Sequence, residues 1–217
     1  QEEGLSFQNV WTFNLDEYWP MDPNALQSYH RFMREHLFDH IDIDPERCHV
    51  PDGRLSSDNV LAACDEYEEK IRAAGGLDLQ VLGIGRTGHI GFNEPGSGPD
   101  SRTRMIWLDA ITRRDAASDF FGEHFVPRRA ITMGVGTILE AKEVVMVAYG
   151  EGKAPIIRHA VEGEVTERIP ATFLQHHPHA TVFLDASAAS DLRRCRQPWT
   201  LGAVTWNDRT IRQAVIG

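Results

Sequence analysis

Apolar and polar positions divide the chain into short buried runs separated by turns rich in glycine and acid. Leu79 to Ile84 is uncharged and mostly apolar, and Glu143 to Tyr149 (EVVMVAY) and Ala180 to Leu184 (ATVFL) repeat the pattern. Such runs bounded by turn residues predict buried strands. Asn9 to Phe13 (NVWTF) predicts another, on its β-branched and aromatic content, and Ser101 to Leu108 a connection followed by a strand. Between these runs the spacing becomes helical. Val60, Cys64, Tyr67 and Ile71 recur at steps of four, three and four, a single helix stripe. Ser57 or Asp58 would cap it and Gly75-Gly76 would stop it. Asp22-Pro23 reads as the start of an earlier helix, with Leu26, Tyr29, Met33 and Leu37 on one face and His30, His36 and His40 at the surface. Further helices are expected near Pro155 and from Ser187 to Leu192, with a weak one over Thr112 to Phe121. Ala130 to Ala141 reads as a turn entering a short helix, and the tail from Pro198 to Ile216 as holding a strand. Strands alternating with helices predict an α/β fold: a Rossmann-like, open, mostly parallel sheet with helices on both faces, as one domain over residues 1–217.

Candidate chemistry lies where the predicted strands end. Gly83, Gly85, Gly88 and Gly91 follow the central run, with His89 and Glu94 among them. Glycines let a backbone turn sharply and approach a ligand, and open α/β sheets bind ligands beyond their strand ends. Asp16-Glu17 follows the first predicted strand, and Lys153 follows the Glu143 run at a predicted helix start, a natural place for an anion. Histidine exchanges protons near neutrality, a carboxylate can orient it, and a buried aspartate can act as a base. A base, a histidine–carboxylate pair and an anion anchor suit proton shuffling on a sugar phosphate.

Two other motifs carry less. Gly83 to Gly88 fits GxGxxG, with Asp109 about twenty residues on. A dinucleotide site needs a helix to start inside the motif, and Gly91, Pro95, Gly96, Gly98 and Pro99 oppose one. His176, His177 and His179 lack a nearby carboxylate or cysteine at ligand spacing and read as a turn before the Ala180 strand.

Composition narrows the field. A net charge of −10 argues against nucleic acid. No run has the length of a membrane span and the first twenty residues lack a signal-peptide layout. Cys48, Cys64 and Cys195 are odd in number and widely spaced, which predicts no disulfide framework and a reducing cytoplasm.

The segments TFNLDEY, GRTGHIGFNEPGS, SRTR, AITMGVGTILEAKEV and the lysine after VVMVAYG resemble the glucosamine-6-phosphate deaminase (isomerase) family, in the family's order from about Ser6 to Asp185. The tail resembles a divergent bacterial branch, some of whose members are fused to a deacetylase-like domain. The resemblance implies conversion of glucosamine 6-phosphate and water to fructose 6-phosphate and ammonia, with no metal or organic cofactor. It implies that Asp16 moves the proton between C2 and C1, that His89 assists ring opening, that Glu94 orients His89 and that Lys153 binds phosphate. The substrate-binding set then comprises Lys153, Gly85 and Thr87, and homo-oligomers are expected. A non-catalytic sugar-phosphate binder and a 6-phosphogluconolactonase-like hydrolase are the rival readings.

The chain departs from the family in four places. Thr87 stands where the family has aspartate before the catalytic histidine. Asp119 stands where an arginine contacts phosphate, with Arg113 or Arg114 as the replacements at hand. Ile106 occupies the place of a regulatory lysine. The family's first strand and its glycine- and threonine-rich phosphate loop have no counterpart upstream, and Gln1 is not a start methionine. A processed chain, a fragment or a complementing segment is therefore expected.

Overall fold

The computed structural model describes residues 4–216; Gln1 lies outside them. Among the described residues eight strands run in chain order: β1 Thr12–Phe13, β2 Asp16–Trp19, β3 Cys48–His49, β4 Leu79–Leu82, β5 Arg104–Trp107, β6 Arg129–Thr132, β7 Glu143–Ala148 and β8 Ala180–Leu184. The helices are α1 Tyr29–His36, α2 Val60–Ala73, α3 Ala110–Asp115, α4 Val135–Leu139, α5 Ala154–Glu162, α6 Arg193–Arg196 and α7 Asp208–Ile216. Strands β4, β7 and β8 form a parallel sheet with β7 central, and β1 pairs with β3, also parallel. The third sheet, β2-β6-β5, is antiparallel. The open, mostly parallel α/β class stands.

The expected runs at Glu143 and Ala180 are β7 and β8, and the α2 stripe Val60, Cys64, Tyr67 and Ile71 is buried throughout. Gly75 and Gly76, both at positive φ, end α2 where expected. Its N-cap position is Asn59, not Ser57 or Asp58. Helix α1 begins at Tyr29, not after Asp22-Pro23: Ser28 is its cap, and the Ser28 hydroxyl accepts from the His30 N–H at 3.1 Å. The tail from 198 holds a 3-10 turn and α7 and no strand among the described residues.

Packing explains how the site is held. Tyr67 and Ile71 of α2, Ile138 of α4 and Ile157 and Ala160 of α5 pack with Leu82, Val144, Met146 and Ala148 on one face of β4-β7-β8. Leu79, Val81, Val147 and Phe183 of the same sheet are exposed. A second cluster joins Tyr18, Phe92, Phe120, Val126 and Ala130. The Tyr18 and Phe120 rings meet edge to face at 4.9 Å, a favoured aromatic geometry.

Candidate functional site

The acids of Asp16-Glu17 do not end a strand; they begin one. Asp16 lies opposite Thr132 in register, and Glu17 points into the protein with no exposed surface. A buried carboxylate requires donors. Glu17 has the Tyr18 N–H at 2.9 Å, the Ser28 hydroxyl at 2.7 Å and the His30 N–H at 3.3 Å. These contacts fasten the start of α1 to β2. Burial raises the Glu17 pKa, and the hydrogen bonds oppose the rise.

Asp16 points the other way, into a cavity of about 360 Å³. Desolvation first, and the charge of Glu17 second, push its pKa up to about 7. The loop after β4 forms the opposite wall. Gly91 has φ of +54°, and a Cβ there would stand 3.3 Å from Asp16 Oδ2 and 3.0 Å from Thr132 Oγ1. The bare glycine lets loop and carboxylate approach. The Phe92 N–H fastens the loop by donating to Thr132 Oγ1 at 3.1 Å.

His89 lines the same cavity. Its Nδ1 is 2.9 Å from Thr87 Oγ1, 3.4 Å from Thr112 Oγ1 and 3.5 Å from Glu94 Oε2. Thr87 Oγ1 is itself 3.5 Å from Glu94 Oε2. With the ring proton on Nδ1, Thr87 accepts it and its own hydroxyl faces Glu94. Nε2 is then left as an acceptor on the Gly85 side, where an added Cβ would overlap the ring. Burial would raise the Glu94 pKa, but hydrogen bonds from His89 and Thr112, the His89 charge and the Asp109 N–H hold it below its ordinary value. Glu94 Oε1 accepts that N–H at 3.0 Å, and Asp109 caps α3. Asp109 is therefore an N-cap and not a ribose ligand. No helix starts within Gly83 to Gly88, as the argument against a dinucleotide loop requires.

Lys153 is the N-cap residue of α5 and also lines the cavity. Its ammonium donates to the Ile84 carbonyl at 2.6 Å. Desolvation lowers its pKa, Asp115 opposing and Arg86 assisting. The structure thus brings together Asp16, Gly85, His89 and Lys153 on one wall or another, with Thr87 and Glu94 behind the imidazole.

Other expectations change. Neither Arg113 nor Arg114 lines the cavity, and Arg114 faces Glu123 at 3.9 Å. The guanidinium that does line it is Arg86, together with Tyr29, Thr112 and Asp115. Arg86 stands inside the glycine motif Gly83 to Gly88, where the other residues are three glycines, Ile84 and Thr87. Asp119 is exposed, and its carbonyl accepts from Gln27 at 2.9 Å. Ile106 pairs with Ala130 within the antiparallel sheet. His177 spends both ring nitrogens locally, on the Ala141 carbonyl and the His179 N–H, as a turn before β8. Among the described residues no three His, Cys, Asp or Glu side chains are grouped to hold a metal.

Fold and cavity together define an open α/β protein with a ligand cleft beyond its strand ends. Residues 1–183 match the family model of glucosamine-6-phosphate isomerases/6-phosphogluconolactonase, and the chain belongs to this family. A glucosamine-6-phosphate deaminase of Shewanella woodyi is 53% identical over 188 residues, 87% of this chain and 70% of that protein. A glucosamine-6-phosphate deaminase-like protein of Bacteroides thetaiotaomicron is 45% identical over 216 residues. This chain spans 33% of that relative's length. A solved structure described as a monomeric glucosamine-6-phosphate deaminase superposes with a TM-score of 0.84 at 43% identity, covering 88% of this chain and 78% of that one. A 6-phosphogluconolactonase from Thermotoga maritima, at 22% identity and a TM-score of 0.65, shares the fold.

Proposed function

We propose that this chain is a glucosamine-6-phosphate deaminase domain. It converts the amino-sugar phosphate and water to the ketose phosphate and ammonia. The observation that carries the reading is the convergence of Asp16, His89 and Lys153 on one cavity, with the Asp16 pKa near 7. In this reading Nε2 of His89 moves the proton that opens the sugar ring. Asp16 takes the proton from C2, an enolamine forms, and the proton returns to C1. That leaves an imine at C2; water adds to the imine carbon, ammonia leaves and the C2 ketone remains. Lys153 holds the phosphoryl group. Glu94, through Thr87, keeps the imidazole in its reactive tautomer. A base with a pKa near the working pH combines ionisation with basicity. Identity near 50% to proteins named as deaminases supports this substrate over a lactone, for which only a fold-level likeness speaks.

The test is incubation with glucosamine 6-phosphate, following ammonia and ketose together. Asp16→Asn should reduce turnover by about a thousandfold with KM little changed. Parent-like ammonia release by that variant would remove Asp16 as the base. Sugar-phosphate binding without either product would instead favour the non-catalytic binder.

The proposal extends to residues 1–217 working as one domain, in the cytoplasm and as a homo-oligomer. The unpaired thiols of Cys48 and Cys64 support a reducing compartment. Among the described residues no helix is long and apolar enough to cross a membrane. The exposed row Leu79, Val81, Val147 and Phe183 supports self-association. A single monomer boundary in sedimentation velocity, at all concentrations, would exclude it.

A further inference from the structure

The cavity holds more charge than the proton transfers need. Arg86 lines it beside Lys153, and its side chain is 54% exposed. Its Nε donates to Asp115 Oδ2 at 2.9 Å and its Nη2 lies 2.8 Å from Asp115 Oδ1. This side-on fork fixes the plane of the guanidinium. A guanidinium has five N–H donors, so the Nη1 protons and one on Nη2 lie outside the fork. Lys153 feels both Asp115 and Arg86, so the three charges stand within one another's field. Arg86 and Lys153 thus bring two cations to a cavity whose carboxylates are Asp115, held by Arg86, and Asp16. Two neighbouring cations, one of them with free N–H donors, suit the oxygens of a phosphate. A planar fork with free donors suits its oxygens better than a second ammonium would.

We propose that Arg86 is a phosphoryl ligand of the cleft, acting beside Lys153 and setting the preference for a phosphate monoester over the unphosphorylated sugar. The proposal rests on the sugar-phosphate reading above and names the residue that discriminates within it. It also answers the departure at Asp119: the guanidinium at the cavity comes from the glycine loop, not from the segment around Arg113 and Arg114. The competing view is a plain ion pair that fastens the loop to α3.

Calorimetric titration with inorganic phosphate separates the two, because it needs no turnover. The chain, Arg86→Gln and Arg113→Gln are compared, with thermal melting of each. Arg86→Gln should weaken phosphate binding by about tenfold or more, while Arg113→Gln matches the parent. In the ammonia assay Arg86→Gln should raise KM by a similar factor and keep kcat within about threefold. Unchanged phosphate affinity in Arg86→Gln, whether or not its melting point falls, overturns the proposal, as does a parent that binds no phosphate. Arg86-dependent phosphate binding without ammonia release would leave this site standing and remove the deaminase reading. Ammonia release with an unchanged KM in Arg86→Gln would do the reverse.

Discussion

Asp16 is held where function and stability oppose each other. Its folded pKa is about 7 against an ordinary 3.8. The folded state therefore binds this proton more tightly than the unfolded state does. The group's contribution to stability is full below about pH 4 and is lost as pH rises toward 7. At about 1.4 kcal/mol for each unit, the loss has an upper bound of about 4 kcal/mol. Asn carries no charge, so Asp16→Asn should melt above the parent at pH 8, and the gap should close toward pH 4. A gap that does not change with pH, followed by calorimetry or circular dichroism, would contradict this. The sequence showed Asp16 as an acid of interest but not its setting. Two adjacent acids fit either a solvated turn or a catalytic carboxylate; the Ser28 hydroxyl and the His30 N–H, distant in sequence, join the Tyr18 N–H in making burial of Glu17 tolerable. Arg86 was hidden differently, because a GxGxxG pattern draws attention to its glycines.

The element on which the cleft turns is the loop from Gly83 to Gly98. Three of its glycines are needed for different reasons. Gly88, at φ +80°, lets Ile169 pack where a Cβ would be. Gly91 admits the Asp16 carboxylate, and Gly85 leaves room for the His89 ring. Gly85→Ala should push the imidazole off Thr87 and lower kcat by about a hundredfold, with little change in melting temperature. Parent-like kcat in that variant would show that the ring position is not critical. This loop was legible because uncharged β4 leads into glycines. The strands β2 and β6 were not. Antiparallel pairing places the buried Glu17 between the cavity-facing Asp16 and the aromatic Tyr18, so neither strand has the plain apolar run that marks β7. Helix α1 was placed too early because Asp22-Pro23 imitates a cap, whereas Ser28 is the residue whose side chain makes the bond.

At the scale of the whole molecule, the three groups come from separate parts of the chain. Asp16 enters β2, His89 follows β4 and Lys153 follows β7. The parallel sheet aligns the last two, and the antiparallel sheet turns Asp16 toward them. The alternation of strands and helices was enough to predict the class and to place His89 and Lys153 beyond the ends of β4 and β7, but not to place Asp16 at the start of β2. It could not reveal the antiparallel sheet, since pairing depends on partners far apart in sequence. The central claim is that a carboxylate with a pKa near 7 does the proton transfer in this cleft. The direct test is kcat/KM for ammonia release from glucosamine 6-phosphate, measured across pH for the chain and for Asp16→Asn. The account predicts an acid limb of unit slope with its midpoint near pH 7, and loss of nearly all activity in the variant. A profile that stays flat from about pH 5 to 8, or a variant that keeps the parent's rate, would contradict it.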